Sequence, residues 1–179
     1  MKIYLETDRQ ILRQFTEDDA DNLFELDSDP DVVRFVDPQY PILRETVVQQ
    51  TIPRLLQYYE LSEDYGYWAA VKKSNDEFIG WFHLRPSPAH GGEIELGYRL
   101  KKSAWGNGYA TEGSRALIQK GFTLGCDRII STALTANHAS IRVMEKAGLR
   151  FESNWIYHSR NQTDETAVKY SLFRKDWEQ

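Results

Sequence analysis

Apolar positions change their spacing several times along the chain, and each change marks an element. Arg9 to Phe15 alternates, with Ile11 and Phe15 on one parity, and predicts a first strand. Thr16 follows as a helix cap. Its hydroxyl can accept from a free N–H of the first turn, and Glu17, Asp18 and Asp19 suit the positive end of the helix dipole. Leu23, Phe24 and Leu26 supply that helix with a buried stripe. A second helical stretch runs from about Arg44 to Tyr59, and Pro53 in its middle predicts a kink or break.

The pattern then shortens. Tyr67 to Val71 and Phe78 to Leu84 are aromatic and β-branched runs separated by the turn signal Ser74-Asn75-Asp76. Gly91-Gly92 separates them from a third run, Glu93 to Leu100, and the three predict an antiparallel meander. Beyond it helix and strand alternate. Tyr109 to Phe122 has helical spacing and stops at Gly125, and Arg128 to Leu134 is an Ile-rich strand. Ser140 to Ala147 is a short helix ended by Gly148 at the left-handed cap position. Phe151 to His158 and Thr166 to Phe173 close the chain as a hairpin around Asn161-Gln162-Thr163. The order predicts a mixed α/β sheet with helices on both faces rather than a doubly wound fold, because tight turns join the middle strands. No repeat or linker divides residues 1–179, which read as one domain.

Composition narrows the classes. Of 179 residues 41% are hydrophobic and 27% charged, ordinary globular values that argue against disorder. The net charge of -5 and the scattered Lys and Arg give no basic stripe for nucleic acid. Nine carboxylates between Glu17 and Asp37 stand against one cation, Arg34. They form either a solvated helix face or an acidic lip that attracts a cationic amine. One cysteine, Cys126, allows no intrachain disulfide, the charged start has no apolar signal core, and no run suits a membrane span. The expectation is a soluble, cytoplasmic protein. Histidines 83, 90, 138 and 158 lack metal-ligand spacing, so no metal is expected.

The most informative stretch is Glu93-Ile94-Glu95-Leu96-Gly97-Tyr98-Arg99-Leu100 followed by Trp105-Gly106-Asn107-Gly108-Tyr109-Ala110-Thr111-Glu112. A strand runs into a glycine-bearing turn that opens a helix. The first N–H groups of a helix have no intrahelical partner and carry the positive dipole end, and glycines let a phosphate approach. Thr111 adds a hydroxyl. A dinucleotide fingerprint would want Gly or Ala at 111, and a P-loop beginning at Gly108 would want Lys at 114, where Ser stands. Both fail.

The stretch resembles motif A of the GNAT acetyltransferases, in which Arg or Gln, two residues, Gly, one residue and Gly or Ala wrap the pyrophosphate of CoA. Gly108 and Ala110 fill the last two positions, and Trp105 departs from the first. The wording Trp-Gly-x-Gly-Tyr-Ala-Thr-Glu is similar to the branch containing the RimJ and RimL ribosomal-protein N-acetyltransferases. Thr7 to Arg13 looks like that branch's opening strand, Asn137 to Leu149 like its second CoA-side helix, and Tyr170 to Trp177 like its ending. The resemblance implies the GNAT fold, a central, mostly antiparallel seven-stranded sheet flanked by about four helices. It also implies an N-acetyltransferase that uses acetyl-CoA.

Roles follow from that resemblance. The main chain of Tyr98, Arg99 and Leu100 would pair with the pantetheine arm like an added strand. Amides of Trp105, Gly106, Asn107, Gly108, Tyr109, Ala110 and Thr111 would hold the pyrophosphate. Asn137 would reach the pantetheine from across the cleft, or cap the Ser140 helix, or both. A main-chain N–H near Leu100 would serve the oxyanion. Ser140 is the candidate general acid toward the CoA sulfur by similarity to the Asn-x-x-Ser pattern of the RimL branch; many other GNAT enzymes place a Tyr four residues later, where Met144 stands, and water is the alternative proton source. Glu95, favoured over Glu93 on the same strand face, is the candidate base, directly or through water, with His83 a rival. Glu112 reads as complementing the helix dipole. The acceptor is a primary amine, foremost a protein N-terminus, alternatively a polyamine, amino sugar or antibiotic. A silent acyl-CoA-binding module is the reading of a different class, and the chain is either a monomer or a homodimer.

Overall fold

The computed structural model describes residues 2–36, 42–159 and 163–177. Its first element is one that charge conceals in the sequence. Ile3–Glu6 (β1) turns at Asp8 and Arg9 and pairs antiparallel with Gln10–Arg13 (β2). Burial secures the hairpin: the Tyr4 ring stacks on Trp68 with centroids 3.7 Å apart. The strand expected over 9–15 is therefore the second one, and shorter. Leu12 and Phe15 are both buried, in cores on opposite sides of the sheet.

A 3-10 turn over Glu17–Asp19 leads into Ala20–Ser28 (α1). The Asp19 carboxylate accepts from the Thr16 N–H at 3.0 Å and from the Arg13 guanidinium at 2.6 and 2.7 Å. Pro30–Val33 (α2) is capped by Asp29. The second helical stretch breaks as Pro53 requires. Arg44–Thr46 (α3) loosens into a π turn over Val47–Thr51 before Ile52–Leu61 (α4). Pro53 then sits in the first turn of α4, where its missing N–H is tolerated, and the wider turn gives its ring room.

Gly66–Lys72 (β3), Phe78–Pro86 (β4) and Ile94–Leu100 (β5) form the meander. Tyr109–Thr123 (α5), Arg128–Leu134 (β6), His138–Lys146 (α6), Arg150–His158 (β7) and Asp164–Phe173 (β8) follow in the expected order, and Arg174–Trp177 (α7) adds a last turn. Asn161 and Gln162, expected at the final hairpin's tip, lie outside the described residues.

The strands form one sheet in the order β1-β2-β3-β4-β5-β6-β8-β7, eight strands rather than seven because β1 joins the edge. Leu117 and Ile118 of α5 pack with Phe82 and Leu84 on one face. Leu23 and Leu26 of α1 and Leu55 of α4 pack with Ala69 and Val71 on the other. The break that matters lies in the middle. Neighbouring strands are antiparallel except β5 and β6, which run parallel and register at the single pair Glu95–Ile130. Past that pair, the main chain of 96–100 faces that of 131–134 across a gap.

Candidate active site

The gap opens into a cleft of about 430 Å³. Its sides are Leu96 to Leu100 of β5, residues 131–134 of β6, and Asn137 and Ser140 of α6, with Trp105, Gly106 and Ala110 at one end. Trp81, His83 and residues from Asp31 to Val36 form a second wall on the α1 side.

The glycine loop leaves a helix start open. Gly106 and Gly108 take φ of +74° and +81°, the left-handed region that favours glycine, and a Cβ on Gly106 would meet nothing within 4 Å. Gly108 is the N-cap of α5 and no side chain caps the helix, so the N–H groups of its first turn are left for a ligand. Trp105, the departure from motif A, turns back. Its indole N–H donates to the Leu100 carbonyl at 2.9 Å and ties loop to strand end. The Asn107 amide donates to the Trp105 carbonyl at 2.9 Å and tightens the turn.

Across the gap, Asn137 caps α6, its carboxamide oxygen accepting from the Ser140 N–H at 3.1 Å. The Tyr98 phenol donates to Ser140 Oγ at 3.4 Å and spans the cleft. The sequence reading gave Tyr98 a main-chain role only and did not foresee its hydroxyl in the cleft. Burial pushes that phenol above its ordinary range while the Ser140 contact works the other way, so it is a proton donor at neutral pH. Met144 is in the core and 3% exposed.

Glu95 sits where β5 and β6 meet. Its carboxylate accepts from the Thr132 hydroxyl at 2.9 Å and lies 3.7 Å from Arg85. Glu93 is instead ion-paired to Arg128 and Lys169, so of the two strand acids Glu95 lines the cleft. His83 lies over Gly97, where a Cβ would come within 2.7 Å of its Nε2, and its ring stacks near Trp81 and meets Tyr67 edge-on. Neither ring nitrogen has a hydrogen-bond partner. Burial, then the Arg85 and Arg99 charges, hold this imidazole well below the usual histidine range, so it is neutral. The Arg99 side chain pairs with Asp27 over the face of Trp81.

The acidic lip is corrected by its partners. Asp19 pairs with Arg13, Asp21 with Arg44, Glu25 with Lys101, Asp27 with Arg99 and Asp31 with Lys102. Three of the acids, Glu25, Asp27 and Asp31, thus fasten α1 and α2 to the strand end and loop beside the cleft, while Asp19 and Asp21 are held by β2 and α3. Asp37 lies outside the described residues.

The cleft is thus a parallel strand pair splayed beside a helix N-terminus that no side chain caps. Residues 9–150 match the family described as the acetyltransferase (GNAT) domain. The chain belongs to the GNAT acetyltransferases. This N-acetyltransferase is 32% identical over 151 residues to the uncharacterized N-acetyltransferase YoaA of Bacillus subtilis, covering 83% of each chain. It is 29% identical over 163 residues to the FsC-acetyl coenzyme A-N(2)-transacetylase of Aspergillus fumigatus, covering 85% of this chain and 68% of that one. Its fold matches that of RimL, a ribosomal L7/L12 alpha-N-protein acetyltransferase solved with coenzyme A, with a TM-score of 0.79. The identity there is 17%, over 96% of this chain and 98% of that one.

The described residues bring no three His, Cys, Asp or Glu side chains together as metal ligands. The cleft's chemistry is that of hydrogen-bond donors facing a carboxylate and a neutral imidazole.

Proposed function

We propose that this acetyltransferase moves the acetyl group of acetyl-CoA to a primary amine by direct attack with both substrates bound. The acceptor proposed first is a protein or peptide N-terminal amine, as in the RimJ/RimL branch. The observation that carries the reading is the β5/β6 gap ending at an uncapped glycine loop. A strand edge for an extended arm and free helix N–H groups for a pyrophosphate stand end to end.

Bound acetyl-CoA supplies an activated acyl group on a thiol leaving group. The chain does the rest. Main-chain groups of Tyr98, Arg99 and Leu100 hold the pantetheine, the Leu100 carbonyl sharing its lone pairs with Trp105. Amides between Gly106 and Thr111 hold the phosphates, and Trp105 braces rather than binds. Asn137 has committed its oxygen to the α6 cap, so its NH₂ group is the end that meets the pantetheine. A main-chain N–H near Leu100 is the oxyanion donor.

Glu95, fixed by Thr132 and Arg85, takes the amine proton directly or through water. Ser140 gives its proton to the departing CoA thiolate as it takes the Tyr98 phenol proton, and solvent reprotonates Tyr98 before the next turnover. The cytoplasm is the proposed compartment, where acetyl-CoA and free N-termini meet.

A panel of N-terminal peptides set against spermidine, an amino sugar and an aminoglycoside, with thiol release as readout, tests the acceptor. Peptides are expected to give the highest kcat/KM, and a small amine exceeding them would move the assignment to small molecules. Glu95→Gln should lower kcat roughly 100-fold, the usual scale of general base catalysis. Turnover unchanged in both Glu95→Gln and Ser140→Ala would remove those two assignments, and turnover absent in wild type would favour a silent acyl-CoA-binding module.

A further inference from the structure

The turn between β1 and β2 grips the start of α5 through a single carboxylate. Glu112 Oε1 accepts from the Thr7 hydroxyl at 2.6 Å and from the Arg9 N–H at 2.9 Å, and Oε2 accepts from Arg9 Nε at 2.6 Å. The guanidinium continues into the glycine loop. Its Nη1 donates to the Asn107 carbonyl at 2.9 Å, and its carbon lies 4.6 Å from the centre of the Tyr109 ring. The Gln10 amide donates to the Tyr109 carbonyl at 3.0 Å, so the hairpin holds the loop at two main-chain points.

The electrostatics give this contact a purpose. Residues 105–111 contain no Lys or Arg, and the charged group in the first turn of α5 is an acid, Glu112. A carboxylate there suits a bare helix dipole, but it repels a pyrophosphate and can fold back onto the N–H groups that the pyrophosphate needs. The hairpin prevents both. Burial opposes the charge on Glu112, but the Thr7 hydroxyl, the Arg9 amide and the Arg9 guanidinium outweigh it and hold the group below the ordinary carboxylate range. The acid stays ionised while its oxygens face the β1–β2 turn instead of the helix end.

We propose that Arg9 is a positioning residue for the cofactor loop. By clasping Glu112 it keeps a competing anion off the helix N-terminus and sets Asn107 and Tyr109 in the conformation that receives the pyrophosphate. The inference rests on the loop being the CoA phosphate seat.

The test compares CoA with acetyl-pantetheine, which lacks the pyrophosphate, by quenching of tryptophan fluorescence in the full chain. Arg9→Ala should weaken CoA roughly 5- to 20-fold and change acetyl-pantetheine by less than about twofold, the scale of one charge at a helix terminus. Arg9→Ala combined with Glu112→Gln should recover most of the loss, because the unclasped anion is gone, and Arg9→Lys should fall between wild type and Arg9→Ala. Where Arg9→Ala folds poorly, Arg9→Lys with and without Glu112→Gln makes the same comparison. Three results would each overturn the proposal: CoA binding indifferent to Arg9, equal weakening of both ligands, or a double variant as weak as Arg9→Ala. A wild-type protein that binds neither ligand fails earlier, at the reading of the loop itself.

Discussion

His83 is the least satisfied side chain in the cleft, and its environment predicts how the fold responds to acid. The ring is 8% exposed and neither nitrogen is paired. Its folded pKa lies well below the value near 6.5 of an unfolded histidine. Above about pH 6.5 both states are neutral and the group adds no pH dependence. As pH falls further, the unfolded chain takes up a proton that the folded one does not, and stability declines until the lower folded value is reached. Urea midpoints should therefore fall more steeply between about pH 6.5 and pH 5 for wild type than for His83→Phe. Equal slopes would mean that the ring finds a proton partner. At the other side of the cleft, Tyr98→Phe removes the donor to Ser140. We expect kcat to fall with little change in the KM for acetyl-CoA, and the reverse split would make Tyr98 a binding group only. The Tyr98–Ser140 contact joins residues 42 apart in sequence, so no local pattern could announce it, whereas Asn137 as a cap was readable because capping is a local property.

At the scale of elements, two glycines set how closely β4 approaches its neighbours. A Cβ on Gly113 of α5 would lie 2.3 Å from the Phe82 ring. Alanine there gains about 1 kcal/mol of helix propensity and loses about 1–3 kcal/mol to overpacking, so Gly113→Ala should destabilise on balance. Gly80 is stricter. It has φ +135°, and its Cβ would lie 2.1 Å from the Arg99 carbonyl oxygen, a backbone atom with nowhere to go. Gly80→Ala should displace the end of β5 and lose acetyl-CoA affinity as well as stability, and denaturant melts with CoA titrations would separate the two. Retained affinity would show that β5 yields without disturbing the cofactor edge. Elements with strong periodicity were legible almost to the residue, as Arg128–Leu134 shows. β1 was hidden because its apolar run, Ile3-Tyr4-Leu5, is only three residues between Lys2 and Glu6, and what fixes it is the stack of Tyr4 on Trp68, a tertiary contact. The π turn before α4 was visible only as a disturbance at Pro53.

Across the whole molecule, ion pairs between distant segments help to hold α1 and α2 beside the cleft. Glu25, Asp27 and Asp31 read in sequence as unpaired because their cations, Lys101, Arg99 and Lys102, come about seventy residues later. The buried Arg13–Asp19 pair anchors the same layer, and breaking it by Asp19→Ala should cost about 3–5 kcal/mol, read as a loss in the urea midpoint. The backbone of the proposed cofactor side left a trace in local sequence, because glycines, a helix start and a strand end are local features. The opposite wall left less, being assembled from Trp81, His83, Asp31, Val32, Phe35 and Val36, which only the fold brings together. Calorimetric titration of the purified protein with acetyl-CoA, with CoA, ATP and NAD alongside, decides whether the β5/β6 cleft and the glycine loop hold the proposed cofactor. One-to-one binding of acetyl-CoA and CoA is expected, with far weaker binding of ATP and NAD. A folded protein that ignored acetyl-CoA, or bound ATP or NAD as tightly, would contradict that assignment.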